Sequence, residues 1–484
     1  MRGSRFVDSL DDGRTVWHEG KQISRVAEHP AFKGTLSTIK LLFDMLDDPQ
    51  RRDLVGYAVP EREHYAHSAF LVPYTHQELA KRSLAFSTWS AETFGMMSRL
   101  SDYARSIVTG WYAARGELSA LDPHFASKIA AYYEEARDRD LFLTTAIIDP
   151  QIDRSSGLDD PRIAERFLHV VKETTEGIVV RGAKMIATGA PYAHDFVISS
   201  FLQFQDNHRD HAHVLIVPAN SPGLHIVCRE SFADDRRQNH PLSAKYDEMD
   251  AVLFFDDVLV PWERVLLHGD SSKVLALRAN KTVNGLAFHQ NVVRFVAKLE
   301  FVTGLAFAVA EAIGAAGFLH IQEKLGELLT QIDVIKALMF AAEAKAVPDP
   351  SGVLVPELSY IESARSLGTK YYPRAIEILQ QVGAGGFVQT PSGVEDFYGP
   401  ISGLMHRYFE GAGVSAEKKV GLFKLAWDLI GSPLGARHLL YERFYAGDPV
   451  RGLANHYNRY DKTSLTEPIW KLLKTNSRGE TAPA

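Results

Sequence analysis

The spacing of apolar positions changes twice along the chain. Up to about residue 140, apolar residues recur every three or four positions, which is typical of helices with one buried face. The apolar runs then become short and rich in β-branched and aromatic residues, as in DFVISSFLQF and HVLIVPA. Helical spacing later returns in four long segments. The pattern predicts a mostly helical α+β fold with an N-terminal helical domain (1–140), a central antiparallel, barrel-like β domain (141–275) and a C-terminal four-helix bundle with an extended tail (276–484).

The longest apolar-rich stretch is FVTGLAFAVAEAIGAAGFL, at 301–319. It contains Thr303 and Glu311 and many Gly and Ala residues, whereas a membrane span needs about 20 strongly apolar residues. The stretch is therefore predicted to be a core helix. The opening residues, MRGSRFVDSLDDG, have no apolar run after their basic positions, so we expect no secretory signal, no membrane anchor and a cytoplasmic location.

Composition and charge narrow the functional classes. The 484 residues are 45% hydrophobic and 23% charged, with a formal net charge of −7. A negative balance disfavours binding to nucleic acid, which requires a concentrated positive field. The single cysteine, Cys228, excludes an internal disulfide, a thiolate metal cage and a protein-held iron–sulfur cluster. We expect a reducing compartment, no metal site and no nucleic-acid partner.

One apolar run ends on an unusual number of hydrogen-bonding groups. In DLFLTTAIIDPQIDRSSG, at 140–157, a strand-like segment is followed by two Asp residues, a Gln, an Arg and two Ser residues. The segment could leave the core for solvent, or it could cap the strand with its own turn. Alternatively, its polar groups hold a ligand.

Several stretches together resemble one enzyme family. They are DDGRTVWHEGKQI, PQIDRS, EGIVVRGAKMIATGAPYAHD, HPLSAKYDEMDAVLFFDDVLVPWERV, PRAIEILQQVGAGG and YERFYAGDP. They are similar to the large oxygenase component of two-component 4-hydroxyphenylacetate 3-monooxygenases, a group that includes reduced-flavin chlorophenol and nitrophenol monooxygenases. The resemblance extends from about residue 3 to 450. The order of the three predicted domains also resembles the acyl-CoA dehydrogenase-like flavoproteins.

The resemblance implies a reaction and its partners. Enzymes of this family are homotetramers, or dimers of dimers, that take FADH2 by diffusion from a separate NAD(P)H:flavin reductase. They react the flavin with O2 to a C4a-hydroperoxide and hydroxylate a small aromatic substrate. Another branch of the superfamily dehydrates 4-hydroxybutyryl-CoA with an iron–sulfur cluster, which a single cysteine cannot hold.

The same resemblance assigns the flavin contacts. A diffusing flavin must be held by polar groups, without covalent attachment. The segment PQIDRS matches the stretch that lies along the flavin in the family, which assigns Gln151, Arg154 and Ser155 to the cofactor. Thr188, in IATGAP, matches a contact at the edge of the isoalloxazine, although a turn residue would also fit there.

Two further residues, Arg99 and Tyr103, match the family pair that reaches the substrate hydroxyl and the reacting end of the flavin. Four positions apart on a helix, they would share one face. A permanently charged guanidinium favours a phenolate over a phenol, and a phenolate activates its ortho carbon. Ser199 and Ser200 match, more weakly, a loop that touches the substrate.

The chain departs from the family at Thr145. Where related phenol hydroxylases have a pattern like FLNHAIVNPQIDR, this chain has FLTTAIIDPQIDR, so a threonine replaces a histidine that binds the substrate hydroxyl. A threonine hydroxyl is shorter and does not titrate near neutral pH. We therefore expect an unusual substrate, such as a heteroaromatic acid, an aniline or a larger natural-product ring, or else a substrate bound in another orientation. His194 and His289 are candidates to take over the missing role.

Two other functions compete with this interpretation. An acyl-CoA dehydrogenase would keep its FAD tightly bound and use a late carboxylate as base, for which Glu410 is the candidate. A non-catalytic scaffold on the same fold would have no need for Arg99, Tyr103 and the polar strand end.

Overall fold

The structure is a computed structural model, and it describes residues 1–60, 62, 64–153, 155–156, 158–200 and 206–476. Helices dominate its two ends, and most strands lie in the centre of the chain. This arrangement follows the spacing of apolar positions. The boundaries of the three predicted domains stay a prediction.

The N-terminal part is mostly helical but also contributes strands. Its elements are α1 (Arg2–Asp8), β1 (Thr15–His18), β2 (Lys21–Ile23), α2 (Pro30–Asp44), α3 (Arg52–Val55), β3 (Gly56–Ala58), β4 (Tyr65–His67), α4 (His76–Glu92), α5 (Asp102–Ala113), α6 (Arg115–Leu118) and α7 (Phe125–Asp138). A capping box begins α4, because the Thr75 hydroxyl accepts from the Glu78 amide while the Glu78 carboxylate accepts from the Thr75 amide. Strand β1 joins the central sheet, so this part of the chain is tied to the β region.

Two sheets form the central part. Its elements are β5 (Leu143–Ala146), α8 (Pro161–Ala164), β6 (His169–Glu173), β7 (Gly177–Thr188), β8 (Asp195–Ile198), β9 (His213–Pro218), β10 (Leu224–Cys228), α9 (Ser243–Tyr246), β11 (Asp250–Pro261) and β12 (Val265–His268). The strand orders are β2-β1-β10-β11-β7-β6 and β12-β9-β8-β5. Most pairs are antiparallel, as predicted, but β1–β10 and β5–β8 are parallel. Turn residues predict only hairpins, whereas these two pairs join strands that are far apart in sequence.

The parallel pair β5–β8 prepares the site. Thr145 lies opposite Val197, and Ala146 lies opposite Ile198. Both strands therefore end at the same edge of the sheet. The polar segment after β5 and the two serines after β8 meet there.

Long helices form the C-terminal part. Its elements are α10 (Ser271–Ala279), α11 (Lys281–Ala312), α12 (Leu319–Ala344), β13 (Val347–Pro348), β14 (Leu354–Val355), α13 (Leu358–Gly383), α14 (Ser402–Tyr408), α15 (Ala416–Ile430), α16 (Pro433–Phe444), α17 (Pro449–Arg459) and α18 (Thr463–Asn476). Helix α11 contacts α5, α12 and α13, which explains why most of its positions are buried. Among the described helices, none is both long enough and apolar enough to span a membrane.

The last of the four long segments with helical spacing, at 414–440, forms two helices. Gly431 follows α15, and Ser432 caps α16 by accepting from the Gly435 amide at 3.1 Å. Pro433 occupies the first turn of α16, where its missing N–H costs nothing. The break redirects α16, which places its last turn beside α5 and α11.

Candidate active site

A buried ion pair anchors the ends of β5 and β8. The ammonium of Lys184 donates to Asp149 Oδ1 at 2.5 Å and to the carbonyl of Ser199 at 2.7 Å. The Ser200 hydroxyl also donates to Asp149, and the Arg278 guanidinium donates to the Ser200 carbonyl. Burial lowers the pKa of Lys184, while the neighbouring Asp149 opposes that shift. We call these five residues the strand-end cluster.

The polar segment after β5 begins in the buried core and then forms its own turn at the surface. Asp149 lies in the strand-end cluster. Ser155 is exposed, and both its amide and its hydroxyl donate to Asp153 Oδ1, at 2.9 and 2.6 Å. Gln151 is exposed as well, and Arg154 lies outside the described residues. The segment thus begins in the buried cluster and continues as a surface turn, and the assignment of its three residues to the flavin stays a prediction.

Arg99 does not share a helix with Tyr103. It lies in the turn before α5, which begins at Asp102, so the prediction that both residues occupy one helix face is wrong. The two side chains nevertheless meet. The guanidinium carbon of Arg99 lies 4.4 Å from the ring centroid of Tyr103 and 4.5 Å from that of Tyr445. The turn before α5 and the residue that follows α16 therefore bring these side chains together, and the roles that the family resemblance assigns to Arg99 and Tyr103 stay a prediction.

The guanidinium of Arg99 keeps a free donor. Its backbone amide donates to Glu248 Oε1 at 2.6 Å, but its side chain forms no ion pair with any residue that the structure describes. Nη1 is buried and has no hydrogen-bond partner in that part of the chain. Burial lowers the pKa of Arg99, but the phenols of Tyr441, Tyr445 and Tyr103 outweigh it and raise the pKa above the ordinary value. Arg99 thus offers a permanent positive charge to a bound group.

Tyr103 connects Arg99 to the strand-end cluster. Burial lowers the pKa of Arg278 to about 10, and the nearby Asp149 and Tyr103 act against this shift. The same phenol thus contacts the guanidinium of Arg99 and contributes to the electrostatic environment of Arg278. The candidate site lies where the start of α5, the ends of β5 and β8, and the last turn of α16 approach each other.

The threonines predicted for the site are buried at its edge. Thr145 is 5% exposed and lies on β5. The hydroxyl of its neighbour Thr144 donates to the Thr188 carbonyl at 2.6 Å, and the Thr188 hydroxyl donates to Asp250 Oδ1 at 2.6 Å. Ser199 is also buried, and its hydroxyl has no partner among the described residues. Thr145 and Ser199 thus remain candidates for substrate contacts, while Thr188 is already fixed at the end of β7.

Neither candidate histidine is placed to replace the missing one. Both ring nitrogens of His194 are engaged, Nδ1 with the Phe142 amide and Nε2 with the Ser9 hydroxyl, each at 2.8 Å. Burial, as the main cause, lowers the pKa of His194 to about 3. His289 Nε2 lies 2.7 Å from Glu343 of α12. Neither imidazole hydrogen-bonds to Thr145 or Arg99.

Several residues of the candidate site were not predicted from the sequence to belong to it. They are Asp149, Lys184, Glu248, Arg278 and Tyr445. All except Arg278 lie within or beside stretches that resemble the family. Spacing alone could not have brought them together.

Comparison with known proteins identifies the family. Residues 2–267 match the family described as 4-hydroxyphenylacetate 3-hydroxylase N terminal, and residues 279–474 match its C-terminal counterpart. The chain belongs to the 4-hydroxyphenylacetate 3-hydroxylase family. The predicted class, an oxygenase component of an aromatic monooxygenase, is thereby confirmed, and the acyl-CoA dehydrogenase alternative is not supported. Its candidate base, Glu410, is exposed between α14 and α15.

Known members of the 4-hydroxyphenylacetate 3-hydroxylase family cover nearly the whole chain. The 4-hydroxyphenylacetate 3-monooxygenase oxygenase component of Thermus thermophilus is 38% identical over 478 residues, which are 98% of this chain and 97% of that protein. A crystal structure of such an oxygenase component, complexed with FAD and 4-hydroxyphenylacetate, superposes with a TM-score of 0.93 at 36% identity, covering 98% of this chain and 99% of that one.

An acyl-CoA dehydrogenase from Geobacillus kaustophilus shares the fold alone. Its TM-score is 0.51 at 13% identity, over 95% of this chain and 97% of that one. The predicted fold class, acyl-CoA dehydrogenase-like and mostly helical, is confirmed.

Proposed function

We propose that the chain binds FADH2 delivered by a separate NAD(P)H:flavin reductase and hydroxylates an aromatic ring held beside Arg99. The observation that carries this proposal is the buried, permanently charged Arg99, whose Nη1 has no partner among the described residues. A buried guanidinium without a carboxylate is unfavourable by itself, so a bound anionic group would stabilise the site. A phenolate, or the anionic edge of a reduced flavin, has this character.

The residues present fit a flavin. Two buried groups have spare donors: Ser199 Oγ, directly after β8, and Arg99 Nη1, in the turn before α5. We assign Gln151, Arg154, Ser155 and Thr188 to the cofactor, following the family resemblance. When bound, reduced flavin would supply the activated dioxygen that the hydroxylation consumes.

The protein's own part in the reaction is to hold the ring as an anion. Arg99 stabilises a phenolate and orients it, since a guanidinium presents donors in a fixed plane. Tyr103 lies beside that anion and can donate a hydrogen bond to it. Thr145 offers a short neutral hydroxyl and cannot take up the substrate proton near neutral pH. Arg99 must therefore favour ionisation largely alone, which selects rings whose hydroxyl is acidic before binding.

This requirement shapes the proposed substrate class. Relatives are named for 4-hydroxyphenylacetate, a simple para-substituted phenol. We propose instead a ring with a more acidic hydroxyl, such as a hydroxylated heteroaromatic acid or a phenol with an electron-withdrawing group. An aniline is disfavoured because it offers no anion to Arg99.

The experiment is a product screen with isotopically labelled O2. The protein, FAD, a flavin reductase and NADH are incubated with 4-hydroxyphenylacetate, 4-nitrophenol and a hydroxypyridine carboxylate, and products are measured by mass spectrometry. We expect one labelled oxygen in the product of an acidic phenol and less product from 4-hydroxyphenylacetate. If FADH2 binds but no product contains labelled oxygen, the proposed function is wrong.

We also propose a homotetramer, or dimer of dimers, in the cytoplasm. Apolar side chains are exposed along α17 and α18, among them Val450 at 76%, Tyr457 at 63% and Trp470 at 62%. Several exposed large apolar side chains on neighbouring helices of the sequence support an interface with other copies of the chain. Light scattering should give four times the mass of one chain, and a monomer at micromolar concentration would contradict the proposal.

A further inference from the structure

The position of Arg99 depends on two aromatic rings. Its guanidinium carbon lies in the corner between Tyr103 and Tyr445, whose ring centroids are 6.3 Å apart and whose planes are inclined by 57°. No described carboxylate pairs with this guanidinium, so the contacts with the two rings help to set its location. Whatever fixes the rings therefore also fixes the charge.

Tyr445 is held firmly from several sides. Its hydroxyl accepts from Asn291 Nδ2 at 2.7 Å, and its ring stacks on Tyr441 with centroids 4.8 Å apart. The guanidinium of Arg294 lies 5.0 Å from the centre of the Tyr445 ring. Arg294 is itself fixed by two hydrogen bonds to Glu442, at 2.7 and 2.9 Å. Tyr445 follows α16 directly, so these contacts attach the end of that helix to α11.

Two buried amides continue from Tyr445 towards Tyr103. Asn291 Nδ2 also donates to Gln290 Oε1 at 3.1 Å, and Gln290 Nε2 donates to Asp102 Oδ1 at 3.1 Å. Asn291, Gln290 and Asp102 are 4%, 1% and 1% exposed. Asp102 immediately precedes Tyr103. The two rings around Arg99 are thus linked through hydrogen bonds that cross from α16 through α11 to α5.

We infer that Tyr445, Asn291 and Gln290 are positioning residues. The two amides hold the Tyr445 ring at a set distance from Tyr103, and the ring in turn aims the free Nη1 of Arg99 at the substrate anion. The inference rests on the proposed function, because it concerns the group that binds the phenolate. It adds to that function a specificity device assembled by a helix more than three hundred positions away in the sequence.

The test measures the ionisation of a bound phenol in the full-length protein. The probe is 4-nitrophenol, whose phenolate is coloured, titrated over pH without flavin and therefore without turnover. Binding beside Arg99 should lower the apparent pKa of the probe. The variants are Tyr445→Leu, which removes the ring, Tyr445→Phe, which removes only the hydroxyl, and Asn291→Leu, which removes the amide.

Tyr372→Phe is the matched control. Tyr372 is also a buried phenol, on α13, and its hydroxyl has no partner among the described residues. We expect wild-type behaviour from it. Tyr445→Leu should weaken phenolate binding about tenfold and move the probe pKa back towards its free value. Tyr445→Phe and Asn291→Leu should each weaken phenolate binding about threefold to tenfold and move the probe pKa part of the way towards its free value.

Each outcome decides the inference. If Tyr445→Leu folds and leaves the probe pKa as in the wild type, Tyr445 does not position Arg99. If that variant does not fold, Tyr445→Phe and Asn291→Leu decide, and an unshifted probe pKa in both overturns the inference. If the wild type binds the probe as phenolate but the variants do not change the probe pKa, the inference is wrong and the proposed function is unaffected. If the wild type does not lower the probe pKa, the proposed function and the inference both fail.

Discussion

Two arginines contact the ring of Tyr445, and they differ in whether a carboxylate pairs with them. Arg294 is 1% exposed, donates twice to Glu442, and also donates to the Gly95 carbonyl at 3.2 Å. Arg99, on the other side of the site, has two rings and no described carboxylate. Arg294 therefore carries no unmet demand for an anion, whereas Arg99 does. This missing counter-ion is the reason to propose that Arg99, and not Arg294, binds an anion.

The partner of Arg294 shows what a buried ion-pair cluster contributes. Lys298 also donates to Glu442, at 2.8 Å. Burial raises the pKa of Glu442, but Arg294 and Lys298 outweigh this effect and lower the pKa to about 2. The cluster holds α11 against α16, which is the same contact that delivers Tyr445 to Arg99. Stability and function meet at this helix pair.

The largest expected effect is on stability, at the ion-paired Arg294. Glu442→Gln leaves Arg294 and Lys298 without their counter-ion, and we expect the free energy of unfolding to fall by about 3–5 kcal/mol, measured by urea denaturation. Because the folded pKa of Glu442 lies below its ordinary value of 4.5, its stabilisation is complete above pH 4.5 and is lost as the pH falls towards about 2.

A surface pair provides the control for this substitution. Glu327 forms two hydrogen bonds with Arg374, both at 2.8 Å, but its side chain is 34% exposed. Glu327→Gln should cost less than about 1 kcal/mol. Equal losses in the two variants would contradict the claim that burial of the Glu442 cluster sets its importance.

Asp102, which accepts a hydrogen bond from Gln290, should make stability depend on pH. Burial raises the pKa of Asp102 to about 7, against an ordinary value of 3.8. An unfolded Asp102 releases its proton at lower pH than the folded one, so stability should fall as the pH rises from 3.8 to about 7 and then level off. In Asp102→Asn this part of the pH dependence should disappear, a difference of up to about 4 kcal/mol. Urea titrations across that range measure it, and parallel curves for the two proteins would contradict it.

Removing Arg99, which has no described carboxylate partner, should affect activity and not stability. Arg99→Met should reduce kcat/KM about a hundredfold, because the anion loses its charge partner, while the melting temperature stays the same or rises. Arg99→Lys retains the charge but not the planar stacking, so we expect only partial recovery. A loss of stability comparable to that of Glu442→Gln would show that Arg99 is structural.

The smallest expected effects separate two adjacent threonines. Thr145→Val removes a hydroxyl assigned to the substrate, and should raise KM about threefold to tenfold at unchanged stability. Thr144→Val instead loses the 2.6 Å hydrogen bond to the Thr188 carbonyl, and should cost about 1 kcal/mol of stability with KM unchanged. If the two variants exchange these effects, the assignment of Thr145 to the substrate is wrong.

The sequence predicted which residues belong to the candidate site, but it predicted little of how they are arranged. Arg99, Tyr103, Thr145, Ser199 and Ser200 were predicted from family-like stretches, and the structure places all five near the start of α5 or at the β5–β8 edge. The helical relation of Arg99 to Tyr103 was wrong. A four-residue spacing says nothing about where a helix begins.

The sequence by itself determined the zones of helix and strand, the family and the residue types of the site. These properties depend on local spacing and on recognisable stretches, so they can be read without knowing the packing. Only the tertiary structure decided that β5 and β8 run parallel, that Asp149 pairs with Lys184, and that Tyr445 completes the corner around Arg99. Those contacts join positions far apart in the chain. They form only when burial of the helix and sheet faces brings the ends together, and no local pattern encodes which ends will meet.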